Sequence, residues 1–353
     1  MTALKLGSLF DGIGVFPLAA VHCGIEPVWA SEIEARPISI TKRHFPDMLH
    51  LGDITKISGA EIPPVDVITF GSPCQDLSQI GTRNGFAGKK SSLFYQAMRI
   101  IEEMRYATNG RYPAFTVWEN VAGAFSSNDR LDFAAMLRAF TGAEVSVPPR
   151  GWAHAGMVRG GRADTAWRLL DAQYWGEPAL AQRRKRVFVV ADFAGQRAGE
   201  VLFKPRTVLP FSTISGPGGL SATQRGGVPA AQTGRQVPIV RPFSLRRMRT
   251  MAQVGDQKGF CASFGRGGEP FPTLLASVTA PFSFWYEGEE QDGFLRVLTP
   301  LECERLMGLP ENWTKYGCKN EEISDHARYR ALGNSIALPC AEYVMAGIAE
   351  VMN

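Results

Sequence analysis

The sequence predicts an α/β fold in which a mostly parallel sheet is covered by helices on both faces. First, apolar runs of strand length alternate with runs of helical periodicity in the first half of the chain. Second, 353 residues, 45% of them hydrophobic and 20% charged, supply enough apolar material for a large core. Third, this alternation is absent from about residue 194 to about residue 290, which predicts an inserted, loop-rich module with short strands.

The elements follow in order along the chain. The predicted strands are LKLGSLF, PVWASE, VDVITF, AFTVWEN and, later, RVFVVADF, and the predicted helices lie over about 15–23, 35–45 and 91–104. Residues 147–164 are predicted to be a long loop. After the insert, Thr299 and Glu302 form a capping-box pattern that begins a helix. The final stretch, ALGNSIALPCAEYVMAGIAEVM, is predicted to be a loop followed by a helix.

Charge is unevenly distributed along the chain. The formal net charge is only +4, yet eleven basic and two acidic residues lie between Phe193 and Arg266. Such a surface suits a polyanionic partner, with nucleic acid the first candidate. A solvated charged face is the alternative.

Several classes of protein are disfavoured by composition. No apolar run approaches the roughly 18 residues of a membrane span, and the N-terminus MTALKLGSLF lacks the pattern of a signal peptide. The six cysteines form no CxxC pair and no Cys/His cluster with zinc spacing. We therefore expect a cytoplasmic protein with reduced thiols and no bound metal.

Polar or small residues stand where the first-half strands end, and ligands of open parallel sheets bind beyond those ends. FDGIG follows the first strand, Glu32 ends the second, Asp53 stands in GDIT, GSPCQ follows VDVITF, and ENV ends AFTVWEN. FDGIG resembles a dinucleotide loop, but Pro17 stands where that pattern needs a small residue, so a nucleoside without a pyrophosphate fits as well. Glu32 would bind ribose hydroxyls and Asp53 an adenine amine, with helix capping the alternative for each.

Cys74 is either a buried filler or a nucleophile on a rigid turn. It follows Pro73 directly after a predicted strand, and polar residues come after it. The next loop, SQIGTRNGFAGKKSS, carries three glycines and three cations, which suits a segment that moves and meets phosphate.

The sequence resembles the cytosine carbon-5 DNA methyltransferase family on eight motifs that occur in the family's order. They are LGSLFDGIG, ASEIE, GDIT, GSPCQDLSQIGTRNGF, WENV, AQRRKRVFVV, RVLTPLECERLMGLPENWT and ALGNSIALP, within residues 6–192 and 296–340. The combination of SPCQ, ENV and QRRKR is highly specific. One departure is PALAQRRKR, in which Gln182 stands further from the proline than in many relatives.

The resemblance implies a fold and a division into domains. The fold is the S-adenosylmethionine-dependent methyltransferase (Rossmann-like) α/β fold, a doubly wound, seven-stranded sheet with one antiparallel strand. Residues 1–192 and 291–353 would form the catalytic domain, and residues 193–290 an inserted small target recognition domain. Double-stranded DNA would lie between them.

The resemblance also implies a reaction, the transfer of a methyl group from S-adenosylmethionine to carbon 5 of a cytosine flipped out of duplex DNA. Cys74 would attack carbon 6 and make carbon 5 nucleophilic. Glu119 would hold a proton against ring nitrogen 3, for which burial would raise its pKa. Arg184 and Arg186 would bind the base's carbonyl oxygen and nearby phosphate.

The remaining site residues fall into two sets. Cofactor contacts are implied for Phe10, Gly12, Gly14, Glu32, Asp53, Gly71, Pro73, Leu93, Asn334 and Ser335. DNA contacts are predicted for Gln75, Ser78, Arg83, Lys89, Gln182, Arg246, Arg247 and Arg249. A solvated loop is the alternative for the loop cations, and the last three arginines can read either guanine edges or phosphates.

We expect a monomer that serves restriction-modification or phage self-protection, with any cognate endonuclease acting separately. Three alternatives remain. The family's transfer-RNA-acting branch is nearest in chemistry. A DNA-binding protein that has lost catalysis is disfavoured by the intact Cys74, Glu119, Arg184 and Arg186. A nicotinamide oxidoreductase is disfavoured by Pro17 and by the SPCQ and ENV motifs.

Overall fold

The computed structural model describes residues 3–72, 93–204, 239–242, 271, 273–274, 282–286 and 293–353, with backbone only for 239–242, 282–286 and 293–296. Eight strands form one sheet, in the order β3-β2-β1-β4-β5-β8-β7-β6. They are β1 (Lys5–Leu9), β2 (Glu26–Ser31), β3 (Leu49–His50), β4 (Val67–Phe70), β5 (Phe115–Val121), β6 (Ala155–Arg159), β7 (Asp164–Asp171) and β8 (Lys185–Asp192).

Eight α-helices accompany the sheet in the described ranges. They are α1 (Val15–His22), α2 (Ala35–His44), α3 (Leu93–Ala107), α4 (Leu131–Thr141), α5 (Ala198–Leu202), α6 (Pro300–Leu306), α7 (Asp325–Asn334) and α8 (Leu338–Met352). The predicted strands correspond to β1, β2, β4, β5 and β8, and the predicted helices to α1, α2, α3, α6 and α8. The residues ALGN, predicted as loop, are instead the last turn of α7.

The sheet is mixed, and it differs from the predicted seven strands with one antiparallel member. Strands β1 to β5 are parallel, whereas β8 runs antiparallel to β5, and β6 antiparallel to β7. The extra strand β6 lies inside the stretch predicted as a loop, at the edge of the sheet. Its side chains remain largely accessible, so it lacks a continuous apolar signal. Gly156 leaves room there for the Trp167 ring, which a Cβ at this position would approach to 2.3 Å.

The core has two halves because successive residues of each strand point to opposite faces. In β8, Phe188 and Val190 belong to the cluster that packs with α1, α5 and α8. Val187 and Val189 belong to the cluster that packs with α3 and α4. Both faces of the sheet are therefore covered by helices, which confirms the predicted doubly wound arrangement.

Residues 193–204 pack on this large sheet rather than outside it. Tyr343 of α8 donates a hydrogen bond to the Leu202 carbonyl (2.6 Å). Arg197 pairs with the buried Asp192 (3.0 Å), and Lys204 pairs with Glu350. Two of the eleven cations in the basic segment therefore neutralise acids of the large sheet unit.

A second, antiparallel sheet has the order β11-β10-β9. Its strands are β9 (Ile239–Pro242), β10 (Phe282–Tyr286) and β11 (Gly293–Val297). After it, α6 begins with the predicted capping box. The Thr299 hydroxyl accepts from the Glu302 amide, and the Glu302 carboxylate accepts from the Thr299 amide (2.8 Å).

Among the described residues, no single helix is long and apolar enough to cross a membrane, although the bent pair of α7 and α8 together would qualify by length and composition. Nor does any group of three or more His, Cys, Asp or Glu side chains in the described ranges have the arrangement of a metal site.

Candidate active site

A cavity of about 730 Å³ opens where β1, β2, β4 and β5 end. The turn after β1, the start of α2, the ends of β4 and β5, and α7 all contribute to its lining. The predicted site residues that line it are Phe10, Gly12, Glu32, Gly71, Glu119, Arg186, Asn334 and Ser335. As expected for an open parallel sheet, the strand ends converge on one crevice.

The FDGIG turn bends sharply to direct the N-terminus of α1 at this cavity. Phe10, Gly12 and Gly14 all have left-handed backbone conformations, with φ of 55°, 60° and 78°. A Cβ at Gly12 would meet nothing within 4 Å, so the missing side chain leaves open space for a ligand to approach the backbone. Pro17 falls in the first turn of α1, where backbone amides have no helical partner, so it does not disturb the helix.

Glu32 fixes this turn to the end of β2. Its Oε2 accepts from the Gly12 amide (2.9 Å), while Oε1 accepts from the amides of Ile33 (2.7 Å) and Glu34 (3.0 Å). A carboxylate oxygen has two acceptor sites, so Oε2 can take a further hydrogen bond from a ligand hydroxyl. The carboxylate is thus held rigidly at the cavity wall.

Three predicted cofactor residues within the described ranges do not line the cavity: Gly14, Asp53 and Leu93. Gly14 faces α2, since a Cβ there would lie 3.1 Å from the Phe45 ring and 3.2 Å from Thr41. Asp53 caps a short 3₁₀ helix (Ile54–Lys56), because its Oδ1 accepts from the Thr55 amide (2.9 Å) and hydroxyl (2.8 Å). These hydrogen bonds lower the pKa of Asp53. The hydrogen bonds of Asp53 are therefore those of a helix cap, which is the alternative to the predicted contact with adenine. Leu93, the first residue of α3, packs against the core cluster of α3 and α4.

Glu119 and Arg186 meet at the mouth of the cavity. Arg186 Nε lies 3.0 Å from Glu119 Oε1, and the Glu119 side chain is 11% exposed. The geometry does not align a hydrogen bond, so Oε1 is a buried oxygen without a hydrogen-bond partner. Burial raises the pKa of Glu119, although Arg186 and Arg184 oppose the shift.

The end of β5 also fixes the start of the segment that leads to Cys74. Trp118 Nε1 donates to the Ser72 hydroxyl (3.1 Å), and Asn120 Nδ2 donates to the Ser72 carbonyl (3.1 Å). At Gly71 a Cβ would lie 3.2 Å from Glu119 Oε2. A glycine there lets the chain pass close to the carboxyl group. The predictions for Pro73, Cys74, Gln75, Ser78, Arg83, Lys89, Arg246, Arg247 and Arg249 lie outside the described residues.

Arg184 lies beneath the cavity rather than in its wall. Its side chain is fully buried, and its guanidinium donates to the carbonyls of Leu274 (2.9 Å), Gly333 (2.9 Å) and Ser335. The predicted contact with a base or phosphate is therefore not the contact found at Arg184, whose two terminal nitrogens donate to backbone carbonyls, whereas its buried Nε has no hydrogen-bond partner among the described residues.

Gln182 is likewise buried, with an exposed fraction of 0%. Its Nε2 donates to the Leu306 carbonyl (3.0 Å), and its Oε1 accepts from the Leu274 amide (3.3 Å). Both ends of the Gln182 amide are thus occupied within the protein and no solvent reaches the side chain, which is the environment of a structural residue.

The cavity also contains residues that sequence reasoning did not select. Arg330 of α7 pairs with Glu34 across the rim (2.6 Å), and these partners are 296 positions apart, so no local pattern signals them. Asp11 lines the cavity within FDGIG and its Oδ1 has no hydrogen-bond partner. Burial, helped by Glu32, raises the pKa of Asp11 to about 7. The FDGIG motif itself indicates Asp11, because this carboxylate stands between Phe10 and Gly12, which are both predicted cofactor contacts.

Comparisons with known proteins agree with this geometry. The model of the C-5 cytosine-specific DNA methylase family matches residues 4–205 and 243–350. The type II methyltransferase M1.ScrFI of Lactococcus lactis subsp. cremoris is 27% identical over 357 residues, which cover 99% of this chain and 78% of that protein.

A relative from Escherichia phage P1, named DNA N-6-adenine-methyltransferase, is 24% identical over 463 residues and 98% of this chain. The present chain spans only 61% of that protein's length. The solved structure of S. pombe Dnmt2 methyltransferase superposes with a TM-score of 0.62 at 16% identity, and the match covers 100% of each chain. At that identity the likeness concerns the fold alone.

The family match extends over most of the chain and includes the segments that place Glu119, Arg186, Asn334 and Ser335 around one cavity. The predicted methyltransferase fold and family are thereby confirmed. The chain belongs to the C-5 cytosine-specific DNA methylase family and is a DNA cytosine-5 methyltransferase.

Proposed function

We propose that the cavity binds S-adenosylmethionine and that the chain uses it to methylate cytosine at a specific duplex sequence. The residues present fit that molecule. Phe10 offers an aromatic side chain, Glu32 a fixed acceptor for ribose hydroxyls, and Gly12 an open backbone approach. Asn334 and Ser335 provide polar groups for the methionine end. When bound, the cofactor supplies an electrophilic methyl group on a sulfonium.

Within this proposal, Cys74 attacks carbon 6 of the flipped cytosine as a thiolate, which places the electron pair on the ring and makes carbon 5 nucleophilic. Carbon 5 would then take the methyl group, and the electron pair of the broken sulfur–methyl bond would stay with the cofactor product, S-adenosylhomocysteine. A base removes the carbon-5 proton, the ring regains its double bond, and the Cys74 sulfur leaves. Every bond formed to carbon 6 is thus broken again, and the enzyme returns unchanged.

Glu119 carries this proposal because it is the one described residue whose burial and position both serve the reaction. A neutral carboxyl can donate a hydrogen bond to ring nitrogen 3, and burial raises the pKa of Glu119 in the required direction. Arg186, 3.0 Å away, would bind the adjacent carbonyl oxygen of the base and stabilise negative charge there.

Further parts of the proposal concern the assembly. Double-stranded DNA is the substrate, the chain acts as a monomer, and any cognate endonuclease is a separate protein. We place the catalytic unit in residues 1–204 together with the C-terminal part, because α5 packs on α8. The target recognition domain lies between, including the antiparallel sheet of β9 to β11.

The test is expression in a bacterium that lacks cytosine methylation, followed by genome-wide mapping of 5-methylcytosine. We expect methylation at one short motif with the parent chain and none with Cys74→Ala. A Cys74→Ser protein that methylates at the parent rate would contradict the covalent route. A soluble parent protein that binds S-adenosylmethionine but leaves the genome unmethylated would move the assignment to RNA or to DNA binding without catalysis.

A further inference from the structure

Arg184 connects two segments that are far apart in the sequence. Its Nη1 donates to the Leu274 carbonyl, and its Nη2 donates to the carbonyls of Gly333 and Ser335. The backbone of Arg184 is itself fixed, since its amide donates to Asp171 Oδ1 (3.0 Å). One rigidly held guanidinium therefore touches the C-terminal segment on one side and the 271–274 segment on the other.

The charge of Arg184 makes these contacts depend on one another. Gly333 lies in the last turn of α7 and Ser335 is its C-cap, so their carbonyls belong to the negative end of a helix, where a cation is stabilised. Burial lowers the pKa of the Arg184 guanidinium to about 9, which still leaves it charged at neutral pH. A buried charge needs all of its partners, so moving either segment removes a partner from an ion that water cannot reach.

The two segments belong to different functional regions. Gly333 and Ser335 flank Asn334, and all three residues line the cavity proposed for the cofactor. Leu274 lies outside that lining, in the part of the chain predicted to recognise DNA.

The 271–274 segment has further connections to the strand that carries Arg184. The Phe271 amide donates to the Ala181 carbonyl (2.7 Å), and the Arg183 amide donates to the Phe271 carbonyl (2.7 Å). Gln182 accepts from the Leu274 amide as well. The contact is therefore a short, strand-like pairing with Arg184 at its end.

We propose that Arg184 is a positioning residue that couples ligand binding at the end of α7 to the placement of Phe271, Thr273 and Leu274. The inference rests on the proposed function and deepens it. Because coupling between two sites is reciprocal, DNA must tighten the binding of the cofactor product by the same factor by which the product tightens DNA binding. The expected factor is at least about fivefold, the lower end of ordinary coupling.

The first test measures the dissociation constant of S-adenosylhomocysteine by calorimetry, with and without a duplex that carries the mapped motif. In the parent chain the duplex should lower this constant about fivefold or more. In Arg184→Lys the ratio should fall to about one, because an ammonium is a point charge that does not reproduce the fork of a guanidinium. Lys185→Gln, a charge change at the next, exposed position, is the matched control and should keep the parent ratio. An Arg184→Lys protein with the parent ratio would overturn the inference.

The second test needs no variant, and it decides the matter if Arg184→Lys does not fold. Hydrogen exchange of the parent chain should slow at the Phe271 and Leu274 amides when S-adenosylhomocysteine binds, although neither residue lines the cavity. Unchanged exchange at these amides with bound product would overturn the inference alone. A parent chain that does not bind S-adenosylhomocysteine would overturn the proposed function, and this inference with it.

Discussion

At the scale of single residues, the Glu119 carboxyl determines the expected pH dependence. Burial raises its pKa, and the proposed active form is neutral, so kcat/KM should decline as pH rises through that raised pKa.

Glu119→Gln should lower kcat by about 10²- to 10⁴-fold, the range for loss of an acid–base group. Methyl transfer to a duplex, measured from pH 5 to 9, checks both. Glu144→Gln, at a side chain that is 99% exposed, should behave as the parent. Deprotonation of the Cys74 thiol raises the rate with pH on the acid side, so the result that would contradict the Glu119 role is a profile with no decline on the alkaline side.

Ionisation of the Asp11 carboxyl should lower the free energy of unfolding as pH rises. Its folded pKa is raised to about 7 from 3.8, so the unfolded chain releases this proton earlier than the folded chain does. Its contribution to stability is complete below about pH 4 and is lost between there and about pH 7. Asp11→Asn should therefore match the parent in urea unfolding at pH 4 and exceed it at pH 8. Parallel stability curves for the two proteins would contradict the raised pKa.

The QRRKR motif shows what a sequence can and cannot predict at this scale. Residues 182, 184 and 186 alternate with 183 and 185 along an extended chain, so they are expected to share one side. How deeply each of these side chains is buried, however, depends on segments that are distant in the sequence. Gln182 and Arg184 are covered by Leu274 and by Leu306, Gly333 and Ser335, which leaves Arg186 at the cavity. No local pattern distinguishes Arg184 from Arg186.

At the scale of elements, Glu304 of α6 holds the loop before α7. It is fully buried and accepts from the amides of Asn312 (2.8 Å) and Thr314 (2.8 Å) and from Arg328 Nη2 (3.1 Å). Glu304→Ala should lower the free energy of unfolding by about 3–5 kcal/mol, because the buried Arg328 would lose its buried carboxylate partner and keep only Thr314 and the exposed Asp325. Chemical denaturation measures this difference.

The matched control for Glu304 is Glu311→Ala. The Glu311 side chain is 57% exposed, and it pairs with Arg305, which neighbours Glu304 on α6. Its expected cost is below about 1 kcal/mol. Equal losses in the two variants would show that the buried network contributes no more than a surface ion pair.

Trp313 connects the loop between α6 and α7 to the turn after β1. Its Nε1 donates to the Ile13 carbonyl (2.8 Å), and its ring stacks on His44 at 3.5 Å. Trp313→Phe keeps an aromatic ring but leaves the Ile13 carbonyl without its donor, at an expected cost of about 1–3 kcal/mol. Thermal unfolding checks this, with Trp152→Phe as control, since the Trp152 hydrogen bond to Arg130 is partly exposed to water. A smaller loss for Trp313→Phe than for the control would contradict the anchoring role.

Elements with a strong apolar period were predictable, and those that depend on distant partners were not. The strand VDVITF and the helix from Leu93 to Ala107 carry their signal locally. The α7 sequence DHARYRALGN does not, because Arg328 is buried against Glu304, which lies 24 positions earlier. In β7 the cation of Arg168 is satisfied by Leu202 and Tyr343. A charged residue in the core interrupts the apolar pattern wherever its partner is remote in sequence.

At the scale of the whole molecule, the pairing of Lys204 with Glu350 bears on how the basic segment would bind DNA. Binding to phosphates weakens with salt in proportion to the number of cations that contact them. Arg246→Gln should lower the slope of log affinity against log salt by about one if that arginine contacts a phosphate. Lys204→Gln should leave the slope unchanged. Fluorescence anisotropy with a labelled duplex measures both, and a lower slope in Lys204→Gln would place this cation on DNA instead.

The fold class and the family were predictable for the molecule as a whole, since the alternation of strands and helices and the order of the motifs are properties of the sequence. The eighth strand was missed because an exposed edge strand has no continuous apolar signal. The convergence of strand ends on one cavity followed from topology. The packing of residues 193–204 on α8 could not be predicted from the sequence, because it joins segments about 150 positions apart.

The packing of α1 against α8 has a consequence for synthesis. One face of the sheet is completed by residues from the first 20 and the last 20 positions of the chain, including Phe16, Ala19, Val344 and Ile348. While the ribosome makes the intervening 300 or so residues, the apolar face of α1 is not yet covered by α8. We expect this apolar surface to be a binding site for chaperones on the nascent chain until α8 has emerged, and this half of the core to form late rather than from the N-terminus onward.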